Sequence, residues 1–243
     1  MAKSEEEKGK YIRRYILSSA PLLGTKGWDS SLTEYSLTRM DSHRKQKFQE
    51  MKNDRARAEQ LAAGVLLQYA VQEYLDFCKG DHFQAAEEKL TGISWEALRK
   101  DQRPLLELNY RYGTWGKPYL QEIPLFFSLS HSHGTVLCVV SEVEVGADIQ
   151  YSRDTVTVDP DWEQRLLERF FSEQEKQEWS RLAREERRDY FYRQWTRKEA
   201  YGKLTGKGIV STIGISVEQL TGIVREEYRY DDAYISVCML QND

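Results

Sequence analysis

The sequence predicts an α+β protein, and three observations carry that class. Apolar positions recur at helical spacing over residues 54–77. Short apolar runs rich in β-formers occupy 125–129 and 136–141. Each half of the chain reads in one order, strand, then helices, then strands. The composition agrees. Of 243 residues, 40% are apolar, enough for a real core. The formal net charge is −4, which argues against a general nucleic-acid binder. No apolar run approaches the ~20 residues of a membrane helix, so no membrane is expected as a partner. The opening MAKSEEEKGK is polar and lacks the apolar stretch of a secretory signal. Cys78, Cys138 and Cys238 match no zinc spacing, and the last two lie in apolar runs as reduced core residues. A cytoplasmic protein is expected.

Residues 1–10 read as a disordered end. A strand is expected over 11–18. Asp41 caps a helix running to 51, and a longer helix spans 54–77. Residues 79–92 read as a polar loop. Residues 106–112 alternate like a strand, and Gly113-Thr114-Trp115-Gly116 turns it. The second half begins after Pro124, so the division falls at 11–124 and 125–243. It opens with the two apolar runs and a strand over 143–150, a hairpin among them. Helices follow over 162–171, 173–183 with Ser172 as cap, and 187–204, ended by Gly206-Lys207-Gly208. Three short strands close the chain, at 213–217, 224–230 and 234–240.

Four segments could carry chemistry. In QWTRKEAYGKL, Trp195, Glu199 and Lys203 fall at i, i+4 and i+8 on one helical stripe. They read either as a core tryptophan with a solvated ion pair or as a site. In VGADIQ, alternation puts Asp148 and Gln150 on one strand face. An acid there either faces water or needs a partner, such as a cation. In FSLSHSHG, the hydroxyls, imidazoles and glycine form a polar turn or a phosphate site. In WGKPY, the proline holds Lys117 on extended backbone, where it could meet an anion. No Walker sequence, dinucleotide-binding glycine pattern or nucleophile elbow occurs.

Taken in order, GKPYL, FSLSHSHG, VGADIQ, FFSEQE and WTRKEAYGKLTGKG resemble the 4′-phosphopantetheinyl transferases, specifically the larger, monomeric surfactin-synthetase-activating class. The N-terminal RARAEQLAAGVLL resembles that family's helix more weakly. The resemblance implies a pseudo-dimer of two similar α/β halves, each a small antiparallel sheet packed with helices, with an internal pseudo-twofold. It implies transfer of 4′-phosphopantetheine from coenzyme A to a serine of an acyl or peptidyl carrier protein. The other product is adenosine 3′,5′-bisphosphate.

It further implies Mg²⁺, with Mn²⁺ as a substitute, held by Asp148, Glu199, Gln150 (directly or through a water) and Glu175. Such an ion takes few carboxylates alongside phosphate oxygens. Glu199 is the implied general base, and Lys203 and Lys198 are implied to offset phosphate charge. Arg57, Lys117, Ser130, His131 and Lys203 are the implied coenzyme A residues. The family commonly has glutamate where this chain has Gln150, which brings no charge and implies weaker metal binding. The alternative is a catalytically weak relative that binds coenzyme A or carrier protein without turnover. A metal-dependent nuclease would want more carboxylates and a basic track.

Overall fold

The computed structural model describes residues 11–24, 27–80, 90–152 and 162–241. The expected disordered end, 1–10, and most of the expected loop at 79–92 lie outside the described residues. β1 (Ile12–Ser18) leads through β2 (Leu23–Gly24) and β3 (Gly27–Trp28) to α1 (Ser30–Thr38), α2 (Ser42–Glu50) and α3 (Asp54–Lys79). β4 (Thr91–Gly92), α4 (Trp95–Lys100), β5 (Tyr110–Tyr112) and β6 (Pro118–Leu120) follow. Then come β7 (Phe126–Ser132), β8 (Thr135–Ser141) and β9 (Val145–Tyr151). Helices α5 (Trp162–Phe170), α6 (Glu173–Arg181) and α7 (Arg184–Thr205) precede the hairpin β10 (Ile223–Tyr230) and β11 (Ala233–Leu240). Among the described residues no helix is long and apolar enough to cross a membrane.

Helix ends follow local chemistry. Asp41 accepts from the Arg44 N–H and Asn53 from the Ala56 N–H. Ser172 and Glu175 form a reciprocal capping box on α6. Gly206 closes α7 at φ 75°, a left-handed position that suits glycine. α3 is the spine of the first layer. Leu61, Ala62, Leu66, Leu67, Ala70 and Val71 are wholly buried against β1 and β8.

Two sheets organise the chain, β4-β1-β8-β7 and β10-β11-β9. β7 and β8 therefore share a sheet with β1, although the sequence placed them in the second half. The reason is the seven-residue pairing of β8 with β1, from Ile12↔Ser141 to Ser18↔Thr135. Two expected strands also change. Residues 213–217 are not extended in pairing; short 3₁₀ turns at Ile209–Thr212 and Val217–Gln219 flank Gly214, whose φ is 70°. Of 106–112, only Tyr110–Tyr112 pairs. Leu106 instead exchanges both backbone bonds with the Gln68 amide on α3.

The sheets meet through side chains. Ser128, Ser130 and Ser132 alternate on one face of β7, each less than a tenth exposed. Their hydroxyls accept from the N–H groups of Ala147, Ile149 and Tyr151, at 2.9, 3.3 and 3.1 Å. Buried backbone donors must find acceptors, and here serine oxygens take the role of a carbonyl ladder. Behind the ladder, Ile16, Leu137 and Val139 pack on Ala147, Ile149, Ile235 and Val237.

α7 lies directly on the opposite face of β9. A Cβ at Gly146 would come within 2.2 Å of both the Ala200 carbonyl and the Leu204 nitrogen. Backbone cannot yield there as a flexible side chain can. Gly146→Ala is expected to lose about 3 kcal/mol, read as a fall of about 10 °C in melting temperature. Gly92→Ala, where a Cβ would meet open space, is expected to melt within about 1 °C of the parent. Equal behaviour of the two would remove the contact between α7 and β9 as the reason for Gly146.

Candidate active site

The close packing of α7 on β9 brings Asp148 and Lys203 together. The Lys203 Nζ lies 2.8 Å from Asp148 Oδ1 and 2.8 Å from Ser130 Oγ. Ser130 in turn donates to the same Asp148 oxygen at 2.7 Å. Asp148 is 6% exposed, so its charge depends on these partners. Glu199 stands one turn before Lys203 on the same stripe. It makes no hydrogen bond or ion pair with any described residue. Burial, and then the Asp148 charge, push its pKa up to about 7, although Lys203 opposes them. A carboxylate held short of ionisation beside a second carboxylate is a place where a cation is favourable.

Gln150 shares the β9 face of Asp148. Its amide nitrogen donates to Ser132 Oγ at 3.3 Å and to the Tyr151 carbonyl at 3.2 Å. Its carbonyl oxygen has no partner among the described residues. Hard oxygen donors from Asp148, Glu199 and Gln150 fit a small divalent cation. No cluster of three His, Cys, Asp or Glu occurs among the described residues.

Lys198 and Glu175 sit elsewhere. The Lys198 side chain is wholly buried, and its Nζ pairs with Glu175 at 2.9 Å. It also donates to the Ile215 carbonyl and lies over the Phe171 ring. Burial lowers its pKa despite the pull of Glu175. Glu175 spends one oxygen on its own capping box. This pair holds α6 and the segment after α7 to the helix, and the structure does not bring it into contact with Asp148. Trp195 packs on Phe170 and Phe191, as a core residue that sets the lie of α7.

A cleft of about 320 Å³ opens beside Lys203, lined by Arg44, Lys47, Trp115, Lys117 and the glycines 202, 206 and 208. Gly202 lets the chain fold back on α7, since a Cβ there would lie 2.6 Å from the Gly208 backbone. Arg44 is buried, with its Nε unpartnered. Burial, and then the Arg44 charge, lower the Lys47 pKa. Two crowded cations on a cleft wall suit an anion. Sequence reading missed both, although they lie three apart on the helix that Asp41 caps. Lys117 reaches the cleft with its aliphatic stem, while its Nζ donates to Glu144, the Val145 carbonyl and the Leu204 carbonyl at 2.5, 3.0 and 2.8 Å.

His131 lies at the end of β7 with its side chain 55% exposed, its Nδ1 2.9 Å from Glu59. Glu59 also accepts from the Gly134 N–H at 2.9 Å. Burial would raise its pKa, but the His131 and Gly134 hydrogen bonds outweigh it and hold Glu59 low. Sequence reading missed Glu59, two residues after Arg57 in the RARAEQ block. Arg57 itself is not on the cleft wall. Its guanidinium stacks over Phe48 and Trp28, at 4.5 and 5.2 Å. A larger hollow of about 380 Å³ lies between α7 and the last hairpin. Its charges are spent on each other, Arg193 on Glu227 at 3.3 Å and Arg229 on Asp189 at 3.7 Å.

Residues 144–234 match the sequence model of the 4′-phosphopantetheinyl transferase superfamily. The 4′-phosphopantetheinyl transferase HetI of Nostoc sp. is 35% identical over 116 residues, 46% of this chain and 47% of that protein. The 4′-phosphopantetheinyl transferase psf-1 of Bacillus pumilus is 40% identical over 107 residues, 44% and 43% of the two. The 4′-phosphopantetheinyl transferase Sfp of Bacillus subtilis is 29% identical over 112 residues, 46% and 47%. The chain spans about half the length of these curated relatives in each match. The matched segment holds β9, α7 and the Asp148, Glu199 and Lys203 positions, and through it the chain is similar to the 4′-phosphopantetheinyl transferases.

Proposed function

We propose that the protein transfers 4′-phosphopantetheine from coenzyme A to a serine hydroxyl of an acyl or peptidyl carrier protein. The observation that carries this reading is the Asp148–Glu199 pair, with Lys203 joining it to a basic cleft. Two carboxylates and an amide suit Mg²⁺, which would be held by Asp148, Glu199 and Gln150, directly or through a water for the last. When bound, the ion supplies charge neutralisation across the pyrophosphate. Arg44, Lys47 and Lys203 attract the anionic nucleotide, and the exposed His131 imidazole stands ready for a phosphate oxygen.

Glu199 is the base of this reading. Without metal, burial and the Asp148 charge hold its pKa near 7, and a bound cation would lower it, leaving the carboxylate ionised and able to accept a proton. It takes the proton of the carrier serine, directly or through a water. The serine oxygen bonds to the phosphorus bearing pantetheine, and that phosphorus loses its bond to the bridging oxygen. The bridging oxygen leaves with adenosine 3′,5′-bisphosphate, its charge met by Lys203. Lys198 and Glu175 act on the site only by holding α7. The two small sheets, each backed by one long helix, support a pseudo-dimer of similar halves in a monomer with the cleft between them.

The test is the intact mass of an apo carrier protein incubated with this protein, coenzyme A and Mg²⁺, beside an EDTA control. One added phosphopantetheine, lost with EDTA or with Glu199→Ala, is the expected result. No transfer to acyl or peptidyl carriers, with coenzyme A still bound, would replace this reading by a binding-only relative.

Glu199 also ties function to pH. Its folded pKa near 7 exceeds the ordinary 4.5. The folded state therefore holds this proton more tightly, and stability falls as pH rises from about 4.5 through about 7. Without metal, Glu199→Gln is expected to be more stable than the parent at pH 8 by about 1–2 kcal/mol, allowing for solvent that still reaches the carboxylate. The difference vanishes near pH 4.5. Mg²⁺ should raise the melting temperature of the parent and not of the variant. An unchanged pH profile would show that Glu199 ionises freely.

Gln150 sets the metal demand. Gln150→Glu adds a third carboxylate and is expected to lower the Mg²⁺ concentration for half-maximal transfer several-fold, about tenfold at most. An unaltered Mg²⁺ titration would remove residue 150 from the metal site.

A further inference from the structure

Ser130 matches a phosphate-binding position by resemblance, but its bonding says otherwise. A serine hydroxyl has one proton to give and two lone pairs. The proton goes to Asp148 Oδ1 at 2.7 Å. The lone pairs take the Lys203 ammonium at 2.8 Å and the Ile149 N–H at 3.3 Å. A phosphate oxygen is an acceptor and needs a donor, and Ser130 has no proton left to offer. The residue is also 5% exposed, whereas the neighbouring His131 side chain is 55% exposed.

We propose that Ser130 is a positioning residue: its hydroxyl fixes the Asp148 carboxylate and the Lys203 ammonium against each other and touches no phosphate of the ligand. The geometry explains why a hydroxyl stands at this position of the serine ladder. Ser128 and Ser132 also accept from β9 backbone, but neither bonds to Asp148 or Lys203. Only the middle rung joins the backbone of β9 to the charged pair on its other face. Residues that orient a metal-ligating carboxylate affect metal affinity without touching the ion.

This inference rests on the proposed function for the identity of ion and ligand, so both are read as binding, without turnover. Mn²⁺ affinity is measured by the electron paramagnetic resonance of free Mn²⁺, in the absence of coenzyme A. Coenzyme A affinity is measured by calorimetry in the absence of metal. Ser130→Ala is expected to weaken Mn²⁺ about tenfold while coenzyme A affinity stays within about twofold. Ser128→Ala loses an equivalent backbone bond, that to the Ala147 N–H, and Ser128 bonds to none of Asp148, Glu199 and Gln150, so this variant should lower the melting temperature similarly yet leave Mn²⁺ affinity within about twofold. Ser130→Thr keeps the hydroxyl and should restore Mn²⁺ affinity to within about threefold. Should the alanine variant not fold, Ser130→Cys, close in shape and a poor donor, carries the same comparison.

A tenfold loss of coenzyme A affinity with Mn²⁺ intact would make Ser130 a phosphate ligand and overturn the proposal. Equal Mn²⁺ losses in Ser130→Ala and Ser128→Ala would overturn it too, by assigning the effect to the ladder as a whole. Parent protein that binds Mn²⁺, with Ser130→Ala unchanged, defeats this inference alone. Parent protein that binds no Mn²⁺ defeats the metal reading itself, and this inference with it.

Discussion

The chemistry of the cleft depends on how β9 is held. Along one edge its N–H groups are taken by three serine hydroxyls of β7. On one face, Gly146 lets the α7 backbone rest on it with no side chain between. Neither contact is apolar, and each fixes a different degree of freedom. The ladder sets register, because serines at every second position match donors at every second position and a one-residue slip would lose all three. The glycine contact sets depth, because two backbones in van der Waals contact cannot come closer. With register and depth both fixed, Asp148 on the strand and Lys203 on the helix have one relative placement.

That placement is locally unfavourable. Glu199 is half-buried near Asp148 with no bonded partner among the described residues, and its ionisation is opposed to the extent that its pKa reaches about 7. Lys203 answers Asp148 but only partly answers Glu199. The rest of the structure over-determines the helix that carries this tension. The Lys198–Glu175 pair anchors α7 from its far side. Arg197 is buried against Glu218 and Glu227. Trp195 locks into the Phe170 and Phe191 rings. A site that stores electrostatic strain needs such a surround, and stability given up at functional residues is a common trade.

Much of this was legible in the sequence, and the gaps have physical reasons. Asp41, Ser172 and Gly206 announced helix ends because capping is local chemistry. Strand alternation and helical spacing single out Asp148, Glu199 and Lys203 without deciding between a site and a solvated face, and their expected roles come from the family resemblance. The failures are non-local. Extension over 106–112 was inferred from alternation, yet Gln68, far along the chain on α3, takes the Leu106 backbone. The strand expected at 213–217 ignored Gly214 at positive φ and a buried lysine that claims the Ile215 carbonyl. The pairing of β8 with β1, across more than a hundred residues, leaves no local trace in the sequence. The short helix α1 was capped by Asp29 and α4 by Ser94, but neither carries an apolar stripe long enough to read. Arg44 and Lys47 looked like an ordinary solvated face until the fold set them on a cleft wall.

Matching a residue to a motif also leaves open what its polar atoms do, and hydrogen-bond capacity decides that. Lys117 lies on the basic cleft, but an ammonium has three protons and all three are placed, on Glu144, Val145 and Leu204. Its bonds run from the start of β9 to the last turn of α7, so it clamps the two elements whose contact builds the site. Burial lowers its pKa even with Glu144 in reach, as expected of a cation enclosed for structural ends. Arg44 differs, with a buried Nε that no described residue satisfies. His131 differs as well, since Glu59 takes one ring nitrogen and more than half of the side chain remains in solvent. A cleft can thus be lined by four cations in a chain of net charge −4, while only those with unspent donors are free to meet an anion. The motif residues divide into those that build the cleft and those that can touch what enters it, and the division follows from counting protons.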